Sequence, residues 1–349
     1  MRNQEKIFVI GHKNPDTDSI CSAIAYADIK NRTSQKVKYI PKRAGQINEE
    51  TEYVLNRFGM LPPGYLSNIG TQVKDMDIRE TPGVPNSISI KDAWAIMKES
   101  SAVTLPITKE DGQLEGLITT GDIAKSYMDA HNNYFLSNAR TQYRSIANTV
   151  EGVVVTGNSH GYFVKGKVVI GAANPDKLGD FLEEDDLVIL GDRHEDHLCA
   201  IQENVSCIIV CNHAKVSQDI IEAAEKNQCV IIQSALDTFT VARLINQSIP
   251  VKHIMKKENL ITFQTDDFTD DVKDIMVKNR HRAFPVVNKH GKFIGTVSRR
   301  NLLGMKKKQL ILVDHNEKTQ AVDNIDAAEI LEIIDHHRLG SLETLQPVM

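Results

Sequence analysis

Residues 6–19 read KIFVI followed directly by GHKNPDTDS, and this junction decides the fold. KIFVI is a short continuous apolar run, the pattern of a strand covered on both faces. It ends abruptly in a polar loop that carries His12, Asp16 and Asp18. A helix is predicted from about Ser19 to Lys30, then VKYIP at 37–41 as a second strand and EETEYVLNRF at 49–58 as a second helix. This alternation points to an α/β fold of the doubly wound type, built on a parallel sheet. The pattern stops near Gly64 and resumes in KKKQLILVDHNE at 306–317 and AEILEIIDHH at 328–337.

Three apolar strands therefore run into acidic and histidine residues: His12, Asp16 and Asp18 after the first, Asp314 and His315 after QLILV, and Asp335, His336 and His337 at the end of EIIDHH. In an open parallel sheet, functional groups gather at the carboxyl ends of the strands, so three such clusters can share one crevice. Carboxylates mixed with imidazoles suit Mn, Co, Fe or Zn better than Ca, which prefers oxygen alone. Several carboxylates also allow one to bridge two cations, the arrangement that activates water for attack on phosphorus. Taken one at a time, the same residues read as helix caps at Asp18 and Ser19, a loop carboxylate at Asp314 and solvated histidines at His336 and His337.

Between the two α/β segments the chain repeats itself. Asp92, Met97, Pro106, Gly112 and Gly116 recur as Asp271, Met276, Pro285, Gly291 and Gly295, all at one offset (271 − 92 = 179). Each copy reads as a helix, two strands joined by a Gly-containing turn, and a helix, preceded by an extended stretch beginning VKDM or VKHIM. Short apolar strands alternate with helices between the copies, suggesting a further α/β domain.

The 349 residues, 41% hydrophobic and 25% charged, suffice for two or three domains with proper cores. A net charge of -5 without a long basic run argues against nucleic acid as the main partner. The N-terminal apolar run is too short for a signal peptide or a membrane span, which places the chain in the cytoplasm with no membrane association. Cys21, Cys199, Cys207, Cys211 and Cys229 form no CxxC pair and read as reduced, mostly buried thiols. HEDH at 194–197 has its histidines three apart rather than the four that a helical zinc site needs. Cys207 and Cys211 fall on one side of a strand-like run, and Met97 and Met276 sit at core-like helical spacing, so all four read as packing residues.

GHKNPDTDS, LVDHNE and IIDHH, in this order on such strands, resemble the DHH phosphoesterase superfamily, and the first two resemble its family II pyrophosphatase branch. That resemblance implies one Mn or Co ion held by His12, Asp16 and Asp314 and another held by Asp18, Asp314 and His336, with Asp314 bridging. It makes His337 a phosphate-binding residue, counts His315 with it as catalytic, and implies hydrolysis of pyrophosphate delivered with Mg, in a homodimer. It also implies a further metal-ligating Asp and a DHHA2 domain after the DHH motif, so a chain ending at Met349 reads as C-terminally truncated.

The duplicated unit resembles the CBS motif, over roughly 73–127 and 251–305, and the pair a Bateman module. By that resemblance GLITTGD supplies Thr119 and Asp122, and GTVSRRN supplies Ser298, Arg299 and Asn301, for the ribose and phosphate of AMP, ADP or diadenosine polyphosphates. Arg280 and Arg282 join them from the loop KNRHRAFP. The intervening segment resembles a DRTGG domain whose naming motif here is DRHED from Asp192. The expected order is a DHH domain at 1–68, CBS motifs at 69–128 and 250–306 flanking a DRTGG-like domain at 129–249, and the incomplete rest of the DHH domain at 307–349. Two rival readings are another DHH phosphodiesterase and an inert adenine-nucleotide-binding module.

Overall fold

The structure, a computed structural model, describes residues 5–34, 36–128 and 132–340. The expected boundary at 128/129 and the tail beyond Gly340 lie partly or wholly outside the described residues. The chain divides into two compact units, the first made of residues 1–78, 263–281 and 297–349, the second of 79–262 and 282–296. The second copy of the repeat is thus divided between them.

In the first unit, strand β1 (Glu5–Ile10) is followed by helix α1 (Thr17–Thr33), strand β2 (Val37–Arg43), helix α2 (Glu49–Arg57) and a short strand β3 (Gly64–Tyr65). α1 thus begins and ends beyond the expected 19–30, because its cap is Asp16 rather than Asp18 or Ser19: the Asp16 side chain accepts from the Ser19 amide at 3.0 Å. The sheet pattern also continues one strand further than Gly64 suggested. β1 pairs in parallel with β2 on one side and with the Gln309–Val313 strand on the other, and Glu329–Ile334 adds to the latter. The order Glu329–Ile334, Gln309–Val313, β1, β2, β3 reverses direction between Gln309–Val313 and β1. That reversal is a topological switch point, where an open α/β sheet leaves a crevice at its carboxyl edge.

The apolar run of β1 is explained by its two covered faces. Ile7 and Val9 pack with Ala23 and Ala27 of α1 and with Ile311 and Val313, whereas Ile10 packs with Leu310, Leu312, Val322 and Ile325 on the other side. Burying each such side chain stabilises the sheet by about 1.5–3 kcal/mol. α1 is fixed to the sheet edge by Glu332, which accepts from Tyr26 Oη and Lys30 Nζ, both at 2.5 Å.

The second unit holds a sheet in the order Gly152–Thr156, Val230–Ser234, Cys207–Val210, Leu187–Leu190, Val168–Ile170, parallel except for its first pair. Cys207, Ile209 and Cys211 share one covered face and are buried, and Met97 is buried in the same cluster. The first repeat copy folds as helix Ile90–Glu99, antiparallel strands Thr104–Thr108 and Leu114–Thr119, and helix Thr120–Met128. The second copy has helix Thr269–Lys278, strands Phe284–Val287 and Phe293–Val297, and a short helix Arg299–Leu303. The VKD and VKH stretches before them are not extended but turn as 3-10 helices. No helix among the described residues is long and apolar enough to cross a membrane.

Candidate metal centre

Three loops meet at the switch point of the first unit. They line a cavity of about 640 Å³ that holds His12, Lys13, Asp16, Asp18, Asp314, Asp335, His336, His337 and Arg338.

His12 leaves β1 through Gly11, whose place only a glycine can take: a Cβ there would lie 1.9 Å from Ser19 Oγ. The close approach lets the His12 amide donate to Ser19 Oγ at 3.1 Å and orients the His12 backbone. His12 Nε2 then stands 3.3 Å from Asp314 and 3.8 Å from Asp16. Asp314 follows its strand in the left-handed region, at φ 60, a conformation that an Asp tolerates better than most residues and that often marks a functional position. It is 6% exposed.

Two groups of ligand-type atoms, each lying within 4.8 Å of one another, result: His12, Asp16 and Asp314, and Asp314, Asp335, His336 and His337. Asp314 belongs to both. Asp18 lines the same cavity, and its carboxylate accepts from Ser22 Oγ at 3.0 Å. Burial raises the Asp314 carboxyl above its usual range, and the nearby charges of Asp18 and Asp16 push it further up. Carboxylates gathered this closely, with three imidazoles beside them, form a donor set that fits borderline divalent cations such as Mn or Co, whose charge offsets the repulsion.

His315 is placed differently from the other histidines. It is 1% exposed, its Nδ1 donates to the Val313 carbonyl at 2.9 Å, and its Nε2 is buried without a hydrogen-bond partner among the described residues. Burial holds its pKa below the ordinary value, which favours the neutral ring, and it stands edge-on to His12 with centroids 6.3 Å apart. It does not line the cavity. Asp335, read at its strand end but given no role, accepts from His337 Nδ1 at 2.7 Å, which raises the His337 pKa. Lys13, Asn316 and Arg338 went unnoticed in the sequence, where only their adjacency to the histidine and aspartate motifs marked them.

The nucleotide candidates are spread over both units. In the second unit the Thr119 amide and hydroxyl donate to Asp122 at 2.8 and 2.6 Å, so Asp122 closes the start of helix Thr120–Met128, and Lys256 Nζ lies 3.7 Å from its other oxygen. Arg282 belongs to this unit. In the first unit, Ser298 donates to Asn301 in the same way, with both bonds at 2.7 Å. There Arg299 Nε donates to the Met276 carbonyl at 3.0 Å, and Nη2 donates to the carbonyls of Met276 and Asn279. Its guanidinium thereby meets the negative end of helix Thr269–Lys278. Arg280 lies just beyond that helix. Near DRHED, His194 pairs with Asp219 at 2.7 Å and His197 bonds the Gly191 carbonyl at 2.9 Å, so the two histidines have separate partners.

The CBS domain family matches residues 73–129 and 251–307, and the DRTGG domain family matches 145–248. The crystal structure of the CBS and DRTGG domains of the regulatory region of Clostridium perfringens pyrophosphatase, complexed with the activator diadenosine tetraphosphate, is 32% identical with a TM-score of 0.62, covering 66% of this chain and 100% of that one. This chain belongs to the CBS- and DRTGG-containing inorganic pyrophosphatases. Within that family, the cobalt-dependent inorganic pyrophosphatase of Clostridium perfringens is 37% identical over 99% of this chain. The probable manganese-dependent inorganic pyrophosphatase of Thermotoga maritima is 35% identical over 100% of it. The chain spans 63% of the length of each of these two pyrophosphatases.

Proposed function

We propose that this chain carries the two-metal centre of a Mn- or Co-dependent pyrophosphatase that hydrolyses pyrophosphate to two phosphates, with Mg arriving on the substrate. The observation that carries the reading is the membership of Asp314 in both ligand groups. His12, Asp16 and Asp314 would hold one ion, and Asp18, Asp314 and His336 the other, with Asp335 beside them. Two such ions supply Lewis acidity and a water ionised near neutral pH. His337 receives a phosphate oxygen, Lys13 and Arg338 bring positive charge to the cavity wall, and His315 supports His12 from behind rather than touching substrate.

In this reading 1–68 and 307–349 form the DHH catalytic domain, 69–128 and 250–306 the CBS pair, and 129–249 the DRTGG-like domain. The CBS pair takes AMP, ADP or diadenosine polyphosphates through Thr119, Asp122, Arg280, Arg282, Ser298 and Asn301, with Arg299 fixing the end of helix Thr269–Lys278 through the carbonyls of Met276 and Asn279. The protein works as a cytoplasmic homodimer without nucleic acid or membrane. The test is pyrophosphate hydrolysis in Mn and in Co, by this chain and by a chain of the relatives' full length, each with Asp314→Ala. Asp314→Ala retaining a tenth of the wild-type rate overturns the assignment. Nucleotide binding without turnover by the full-length chain would favour an inert sensor instead.

A further inference from the structure

Asn316 is almost fully buried between two of the loops that form the cavity, and its side chain spends every hydrogen-bonding arm on holding them together. Its Nδ2 donates to Asp335 Oδ2 and, at 2.9 Å, to the Arg338 carbonyl. Its Oδ1 accepts from the Gly340 amide, so closely that a Cβ on Gly340 would fall 2.5 Å from it. Asp335, whose side chain is 1% exposed, turns its other oxygen to His337, accepting from Nδ1 at 2.7 Å and from the amide at 3.2 Å. The chain of contacts runs from Asn316 through Asp335 to the His337 ring. A carboxylate that accepts at Nδ1 keeps the proton there and leaves Nε2 as the nitrogen with no protein partner among the described residues.

We infer that Asn316 is a positioning residue: by tethering Asp335, which holds Nδ1 where it also stands 3.9 Å from Asp314, it sets the tautomer and orientation of His337 and leaves Nε2 as the unprotonated nitrogen. The consequence for metal and phosphate binding rests on the reading of the cavity as a two-metal centre, whereas the tautomer itself does not.

Two variants separate the arms. Asn316→Ala removes them all, whereas Asn316→Asp keeps the acceptor for Gly340, loses the donors to Asp335 and to the Arg338 carbonyl and sets a second carboxylate beside Asp335; Asp335→Asn, which leaves Asn316 in place, is the control should either variant fail to fold. Ring nitrogen NMR of the 349-residue protein, at a pH where the rings are neutral, should show His337 protonated at Nδ1 in the wild type. In both variants it should shift toward the Nε2–H form. Binding of inorganic phosphate by the Co-loaded protein, followed by the change in Co absorption, should weaken tenfold to a hundredfold, as for other residues that orient a binding group. Asn316→Ala added to Asp335→Asn should cost no further affinity, because the effect travels through Asp335, whereas a merely structural role would add. Unchanged His337 ring signals in both variants, or additive losses in the double variant, overturn the inference. A wild-type protein that binds no Co, yet shows the tautomer shift in the variants, sinks the metal reading and leaves Asn316 as the residue that sets His337.

Discussion

Replacing Gly11 with alanine puts the site geometry to its hardest test. The added Cβ would meet Ser19 Oγ at 1.9 Å, more than an ångström inside any tolerable contact, and Ser19 is fully buried at the start of α1. It has no room to retreat. Relieving the clash by moving α1 away from β1 costs about 1–3 kcal/mol, as overpacked cores do. Losing the bond from the His12 amide to Ser19 Oγ adds about 1 kcal/mol. Gly11→Ala should therefore destabilise the first unit by roughly 2–4 kcal/mol, summing those two costs, read in urea unfolding followed by far-ultraviolet circular dichroism. Co binding should weaken in the same variant, since His12 moves with its backbone. The companion Gly11→Ala/Ser19→Ala removes the clashing oxygen, leaves the Ser19 Cβ at 3.1 Å, and should recover most of the stability but not the His12 hydrogen bond. A loss under about 0.5 kcal/mol, the range of an ordinary surface change, with undiminished Co affinity, would refute the argument that Gly11 is there for the approach to Ser19.

Other expectations follow from single contacts. The Asp335–His337 pair raises the His337 pKa through its hydrogen bond, while Asp335, despite burial, is held below its usual range by His337 and Asn316. Its stabilisation is therefore lost as pH rises through the folded-state pKa of His337 and as pH falls through that of Asp335. A melting-temperature profile of the metal-free protein should lose these two flanks in Asp335→Asn, and identical profiles would count against the pair. Arg299→Ala should lower adenosine and AMP affinity alike, because the guanidinium is committed to the carbonyls of Met276 and Asn279. Calorimetry showing a loss confined to AMP would mean that Arg299 releases them to reach phosphate. Asp122→Ala should cost about 1 kcal/mol of stability as a lost helix cap even without nucleotide, and an unchanged melting temperature would refute the capping role.

The strand-end logic was legible because KIFVI, QLILV and EIIDHH each carry the double-covered apolar pattern right up to the polar residue that follows. The repeat was legible because identities at a fixed offset survive without any structural knowledge. What stayed hidden depended on partners far away in sequence. Asn316 looks like any loop asparagine until Asp335 and Gly340 come against it. His315 reads as one more catalytic histidine beside Asp314, and only the turn of its ring toward the Val313 carbonyl separates it from the cavity. The α1 cap is ambiguous in the sequence for a related reason. Asp16, Asp18 and Ser19 are all good capping residues, and the choice among them was made by the tight exit through Gly11.

The pairing of Ile7 with Gln309 bears on how this protein is made. The two strands are neighbours in space and 302 residues apart in the chain (309 − 7). At typical synthesis rates of 5–20 residues per second, roughly 15–60 s pass between the emergence of one and of the other. Throughout that interval β1 has an apolar edge with no strand on its Gln309 side, the kind of edge that invites association between nascent chains. The cavity at the carboxyl edge of β1 therefore cannot form until Gln309–Val313 and Glu329–Ile334 have been synthesised. Mutations that slow translation or retard folding of the inserted region should consequently appear first as aggregation of the amino-terminal strand, before any change in nucleotide binding.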